Sequence, residues 1–135
     1  MAVSAVLVDS NVLLDILNDD AEWGGWSSAA LRDAADTSRL VINPVIYSEV
    51  SIGYDRIEDV EAALPSVLER EALPYEAAFL AGKAFARYRR SSGLKVSPLP
   101  DFFIGAHAAV AGYRLLTRDK RRYRRYFPSV PLLAP

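Results

Sequence analysis

The chain has 135 residues, 51% of them hydrophobic, with one histidine and no cysteine. That length suits one ordinary domain with a real core, and the residue counts exclude disulfides, thiolate chemistry, sulfur-ligated metals and multi-histidine zinc sites. The formal net charge of −1 conceals an asymmetry: positions 1–76 hold 4 basic and 15 acidic residues (net −11), positions 77–135 hold 12 and 2 (net +10).

In chain order, "AVLVD" is a short apolar run ending at an acid and predicts a buried parallel strand. "SNVLLDIL" follows with helical spacing at Val12, Leu13, Ile16 and Leu17, and Ser10 or Asn11 available as N-cap. A second helix is expected over "GWSSAALRDAAD", then a buried strand "RLVIN", then a helix capped by Asn43 with Pro44 at its first position. Asp55 is placed to cap a helix through "RIEDVEAAL", and "VLER" reads as a short strand. "YEAAFLAGKAFARYRRSS" predicts a long helix that Gly93 would end, and "PDFFIGAHAAVAG" another, entered at Asp101 and closed by Gly112. The strand "RLLT", a basic helix or turn, and a strand near "VPLLA" complete the chain. Strands alternating with helices imply an α/β fold: a central parallel sheet flanked by helices on both faces. No repeat or linker divides the chain, so one domain over residues 1–135 is expected. The N-terminal apolar run has no basic leader and is broken at Asp9, and 102–113 is too short to span a bilayer. A soluble, cytoplasmic protein without a membrane partner is expected.

In such a sheet, ligands bind beyond the carboxyl ends of the strands. Asp9 ends the first strand and Asp119 follows "RLLT", so both belong at that edge. Asp101, at a helix start, suits either a capping role or a site at that edge. Glu49 lies close to the apolar stripe of its helix, where an unpaired carboxylate is costly; either an arginine such as Arg118 or a bound cation would relieve it. A hard divalent cation, magnesium or manganese, satisfies all four acids at once. Beside a phosphodiester such an ion would activate water and stabilise the leaving oxygen, and the basic C-terminal part would hold phosphates. Acids and arginines together suggest a nuclease. The competing reading of the basic stretch is a solvated face with internal salt bridges.

"LVDSNVLLDIL", "PVIYSEV", "PDFFIGAHA" and "LLTRDKRRYRRYFPSVPLLAP" resemble, in order, the motifs of PIN-domain ribonucleases, and specifically the VapC-type toxins of type II toxin–antitoxin pairs. The resemblance runs from Val6 to the C-terminus and rests on the ordered set rather than on any one motif. It implies a metal-dependent endoribonuclease that leaves a 5'-phosphate and a 3'-hydroxyl, with a catalytic pocket of Asp9, Glu49, Asp101 and Asp119. By the same resemblance Asp9, Asp101 and Asp119 contact the metal, Glu49 reaches it through water or orients the attacking water, and Ser10, Asn11 and Thr117 support the pocket. Arg118, Lys120, Arg121, Arg122, Arg124 and Arg125 are the candidate RNA-binding residues. A homodimer and a cognate antitoxin are also implied. The antitoxin's disordered segment would wrap the toxin and place an arginine or lysine in the pocket.

Several residues keep two readings. Asp15 lies one turn after Asn11 and suits either the pocket or, more simply, a solvated helix face. His107, among alanines, reads as a packed structural histidine before a catalytic base. Tyr123, Tyr126 and Phe127 either stack on RNA or pack their segment down, leaving only the arginines to solvent. Trp23 and Trp26 suit a core, a dimer surface or a loop edge. The alternatives to an RNA-cleaving toxin are a PIN-like module that binds RNA or protein without cutting, and a structure-specific DNA nuclease.

Overall fold

The computed structural model of the chain describes residues 4–92 and 99–135. Five strands form one parallel sheet: β1 (Ala5–Val8), β2 (Arg39–Ile42), β3 (Leu68–Arg70), β4 (Arg114–Leu116) and β5 (Leu132–Leu133), in the spatial order β3-β2-β1-β4-β5. The helices are α1 (Ser10–Leu17), α2 (Gly24–Thr37), α3 (Pro44–Ser51), α4 (Ile57–Ala63), α5 (Tyr75–Ser92), α6 (Leu99–Ala111) and α7 (Lys120–Tyr126). This is the α/β architecture that the alternation of apolar runs and helical spacing predicts.

The chain builds outward from the central β1 to β2 and β3, then returns to the other side of β1 for β4 and β5. Right-handed crossovers put α1–α4 on one face and α5–α7 on the other. In the packing α1 lies on α2 and α3 and α6 on α5 and α7, and α3 also meets α6. A strand covered on both faces has to be apolar throughout, and all four residues of β1 are buried. Leu13, Ile46, Phe102 and Ile104 fill the layers above and below. Truncating a buried side chain of this size costs about 2–5 kcal/mol.

Local capping follows the sequence in some places and departs from it in others. The Asn43 side chain accepts the Ile46 amide at 2.9 Å with Pro44 next in line, as expected. Gly112 closes α6 in the left-handed region, φ +72°, with the Tyr113 amide on the Ala108 carbonyl. Helix α1, however, takes Asp9 as its N-cap residue rather than Ser10 or Asn11, and α4 takes Arg56 rather than Asp55. In neither does the residue's side chain bond the helix amides. Helix α6 starts at Leu99, so Asp101 sits within its first turn instead of at its entrance. The expected end of α5 at Gly93 lies outside the described residues. No helix among the described residues is long and apolar enough to cross a membrane.

Candidate functional site

The reversal of strand order between β1 and β4 creates a crevice beyond their carboxyl ends, the place where doubly wound sheets bind ligands. Val8 pairs with Leu116, and the Asp9 amide donates to the Leu116 carbonyl at 2.9 Å, so Asp9 and Thr117 emerge side by side. Asp9 is only 3% exposed. Its Oδ2 accepts from the Thr117 hydroxyl at 2.8 Å, the Tyr123 hydroxyl at 2.9 Å and Asn11 Nδ2 at 3.3 Å. Three fixed donors on one oxygen set the plane of the carboxyl group. Since that side chain caps nothing, helix termination does not account for the acid.

The other predicted acids come to the same place from three other elements. Glu49 on α3 is half-buried, and its Oε1 accepts from Ser10 Oγ at 2.8 Å. Asp101, in the first turn of α6, is paired with Arg122 of α7. Asp119 stands immediately before α7 and likewise makes no side-chain cap; its amide donates to Thr117 Oγ1 at 3.0 Å. Thr117 therefore links Asp9 and the Asp119 backbone, while Asn11 joins them through Thr117 at 3.3 Å and the Arg118 amide at 3.3 Å. Each of Ser10, Asn11 and Thr117 thus bonds an acid of the pocket or the backbone beside one.

The acids influence one another electrostatically. Burial raises the Asp9 carboxyl to about 6, against the hydrogen bonds from Thr117 and Tyr123, and the charges of Asp101 and Glu49 push it the same way. Burial likewise raises Glu49, with Asp101 adding to it, and raises Asp101, with Asp119 adding to it. Arg122 opposes the rise at both Glu49 and Asp101 without cancelling it. Desolvated carboxylates that repel one another favour a cation, and an all-oxygen donor set suits a hard divalent ion. On that chemistry Asp9, Glu49, Asp101 and Asp119 fit Mg or Mn. Among the described residues no group of three such side chains converges closely enough to hold an ion, and the Arg122 guanidinium lies against Asp101 and, at 3.6 Å, Asp119.

The structure sorts the predicted RNA-binding residues into two kinds. Arg121, Arg124, Arg125 and Lys120 are exposed on α7. Arg118 is different: it clasps Asp15 through Nε at 2.8 Å and Nη2 at 2.9 Å and lies over the Trp23 ring. Asp15 is therefore no solvated residue but a buried one, 3% exposed, held also by Ser27 Oγ at 2.8 Å. The pair ties α1 and α2 to the β4–α7 turn that carries Asp119. Tyr123 and Phe127 are buried and Tyr126 half-buried, so these rings pack the segment down and leave arginines at its surface. The two tryptophans meet edge to face at 6.4 Å, with Trp26 against the core.

Tyr123 is the pocket residue that the sequence alone did not single out for this role. Its hydroxyl bonds Asp9 and also bears on Asp101. Its position four residues after Asp119, at the third residue beyond the start of a short helix, is the one signal that could have placed it there. His107 is buried away from the acids, with Nδ1 3.0 Å from Asn43 Nδ2 and Nε2 3.7 Å from Glu71. It is a packed structural histidine.

Solved structures share this fold over nearly the whole chain. The VapBC2 complex of Rickettsia felis bound to a promoter DNA fragment has a TM-score of 0.72 at 18% identity, covering 96% of this chain and 98% of that one. The DNA-bound VapBC complex of Salmonella typhimurium has a TM-score of 0.70 at 23% identity, covering 97% and 98%. VapC20 of Mycobacterium tuberculosis, a sarcin–ricin-loop cleaving toxin, has a TM-score of 0.60 at 16% identity, covering 86% and 91%. A search of curated proteins finds no match to the sequence. The PIN domain family model matches residues 6–128, nearly the full sheet and every acid of the pocket, and the chain belongs to the PIN domain family.

Proposed function

We propose that this chain is a single PIN domain acting as the toxin of a type II toxin–antitoxin pair, a metal-dependent endoribonuclease that hydrolyses RNA phosphodiester bonds. The observation that carries this reading is the gathering of Asp9, Glu49, Asp101 and Asp119 from four elements at the β1/β4 crevice, with carboxyl groups that feel one another's charge. Asp9, Asp101 and Asp119 would hold Mg or Mn, with Glu49 reaching it through water. When bound, the ion supplies Lewis acidity toward a phosphoryl oxygen and an acidified water.

The chain's own residues do the rest. Thr117, Tyr123 and Asn11 hold Asp9 in one orientation, and Ser10 turns Glu49 toward the pocket. The exposed Lys120, Arg121, Arg124 and Arg125 would give the RNA backbone its positive contact. No side chain is needed as a covalent nucleophile, since water attacks. RNA as substrate is supported by the resemblance and by the cleaving activity in the description of VapC20. A cognate antitoxin is supported by the toxin–antitoxin complexes among the similar structures. A homodimer in the cytoplasm follows from the resemblance.

Arg122 lying against the pocket acids favours a second reading, a module that binds RNA without cutting it. One experiment separates the two. Total RNA, and structured DNA beside it, is incubated with the purified protein and Mg or Mn, with EDTA and Asp9→Asn controls and sequencing of the fragment ends. Discrete RNA cuts that need metal and vanish in the variant are expected. Intact RNA that both proteins still retain would support the binding module, and cuts confined to the DNA would support the structure-specific nuclease.

A further inference from the structure

The acid pocket already contains one cation of its own. Arg122 is the third residue of α7, three positions after Asp119, which sends its side chain back over the turn toward that acid. From there its guanidinium pairs with Asp101 and stands 3.6 Å from Asp119 through Nε. Glu49 and Asp101 both sense its charge. Two of the three acids expected to bind metal are thus bridged by one planar, permanently charged group.

We infer that Arg122 is a built-in competitor of the divalent cation, bridging Asp101 and Asp119 in the metal-free protein and leaving them when the ion enters. The inference rests on the metal-site reading above. Three features support the exchange. The Arg122 and Asp119 side chains are 38% and 40% exposed, so the guanidinium can leave without unpacking the core. Beside it lies a cavity of about 300 Å³ lined by Tyr88, Asp119, Arg121, Arg122, Arg125 and Tyr126, which offers the displaced side chain somewhere to go. The anchor beneath it does not move with it, because Tyr123, the next residue, is buried on Asp9.

Such a competitor offsets part of the acids' charge when the ion is scarce, and sets the metal concentration at which the pocket fills. In the filled state the displaced guanidinium joins Arg121 and Arg125 at that cavity, adding a positive charge beside the crevice. The positive charge that stabilises the empty pocket then faces the polyanion.

The test is Mn binding to the purified full chain without RNA, by calorimetry and by the electron paramagnetic resonance signal of free Mn. Arg122→Gln removes the competitor and keeps a polar side chain on an exposed face, and should bind Mn about tenfold more tightly, the scale of one charge-assisted hydrogen bond. Arg122→Lys, which keeps the charge but loses the planar fork, should fall between. Arg121→Gln, the same charge change one residue away, should alter Mn affinity by less than about threefold. If Mn binds the wild type and Arg122→Gln equally, or Arg121→Gln tightens binding as much, the competitor is overturned and the nuclease reading stands. If neither protein binds Mn in a way that Asp101→Asn abolishes, both readings fall.

Discussion

Two polar clusters flank the same sheet, and they are built on opposite plans. At the β2–β3 end, Glu71 receives the Tyr113 hydroxyl at 2.8 Å and Arg39 at 3.2 Å, while His107 faces Asn43. Glu71 there meets several donors, and Arg39 also takes Glu69 at 3.0 Å. At the β1–β4 end four acids meet one arginine and a few hydroxyls, and burial raises three of their carboxyl groups. The first cluster is complete within the chain; the second has more negative charge than its own residues neutralise. A polar cluster that stabilises a fold satisfies itself, and one that keeps an electrostatic deficit is suited to something brought from outside.

The largest test of that contrast is catalytic. Asp101→Asn should lower RNA cleavage at least about a hundredfold, more than is typical for groups that only orient a ligand. Glu71→Gln, at the satisfied cluster, should leave cleavage within a few-fold while costing about 1–2 kcal/mol in urea unfolding. Equal losses of activity in the two variants would erase the distinction between the clusters.

The pH dependence of stability should separate them next. The Asp9 carboxyl rises from 3.8 to about 6 on folding, so its contribution is fully present below about pH 4 and is lost as pH climbs through about 6. His107 is lowered by burial, with Glu71 opposing, so its contribution is present above its ordinary value and lost as pH falls. Asp9→Asn keeps an acceptor for Thr117 and Tyr123 but never ionises. In EDTA it should be more stable than the wild type at pH 8, by up to about 3 kcal/mol, and little different at pH 4. Thermal melts across that range would show the alkaline limb flattened and the acid limb unchanged. A gain of the same size at both pH values would mean that the charge of Asp9 is not what the fold resists.

A packing variant sharpens the comparison from the other side. A Cβ at Gly105 would overlap the Phe127 ring, so Gly105→Ala should cost about 1–3 kcal/mol as α6 and α7 separate. Because Asp101 and Arg122 lie on those two helices, the variant should lose more activity than Glu71→Gln at equal stability, read by assaying both below their unfolding transitions. The smallest effects belong to the surface. Replacing Arg121, Arg124 or Arg125 singly with Gln should weaken RNA binding a few-fold and reduce its salt slope by about 0.7 per residue. Measurement of affinity against salt would expose any arginine that contacts no phosphate.

The sequence by itself determined the order of strands and helices, because a strand buried on both faces must be apolar throughout and a surface helix must repeat its apolar residues every three or four. It also placed Asp9 and Asp119 at one sheet edge, since acids ending apolar runs fall at strand ends whatever the details of packing. Asp101 and Glu49 joined them through the spacing of their helices and through the family resemblance. Only the tertiary structure decided how the charges pair. Arg118 and Arg122 are four residues apart in one basic run, yet one closes on Asp15, 103 positions away, and the other on Asp101. Asp15 reads as surface on its own helix and is buried because α2 folds over it with Ser27. Tyr123 reads as either stacking on RNA or packing its segment, and it also donates to Asp9, which is 114 positions earlier. Periodicity records which face of an element is apolar, but the partner of a long charged side chain is chosen by distances across the fold, and those exist only once the sheet has closed β4 against β1.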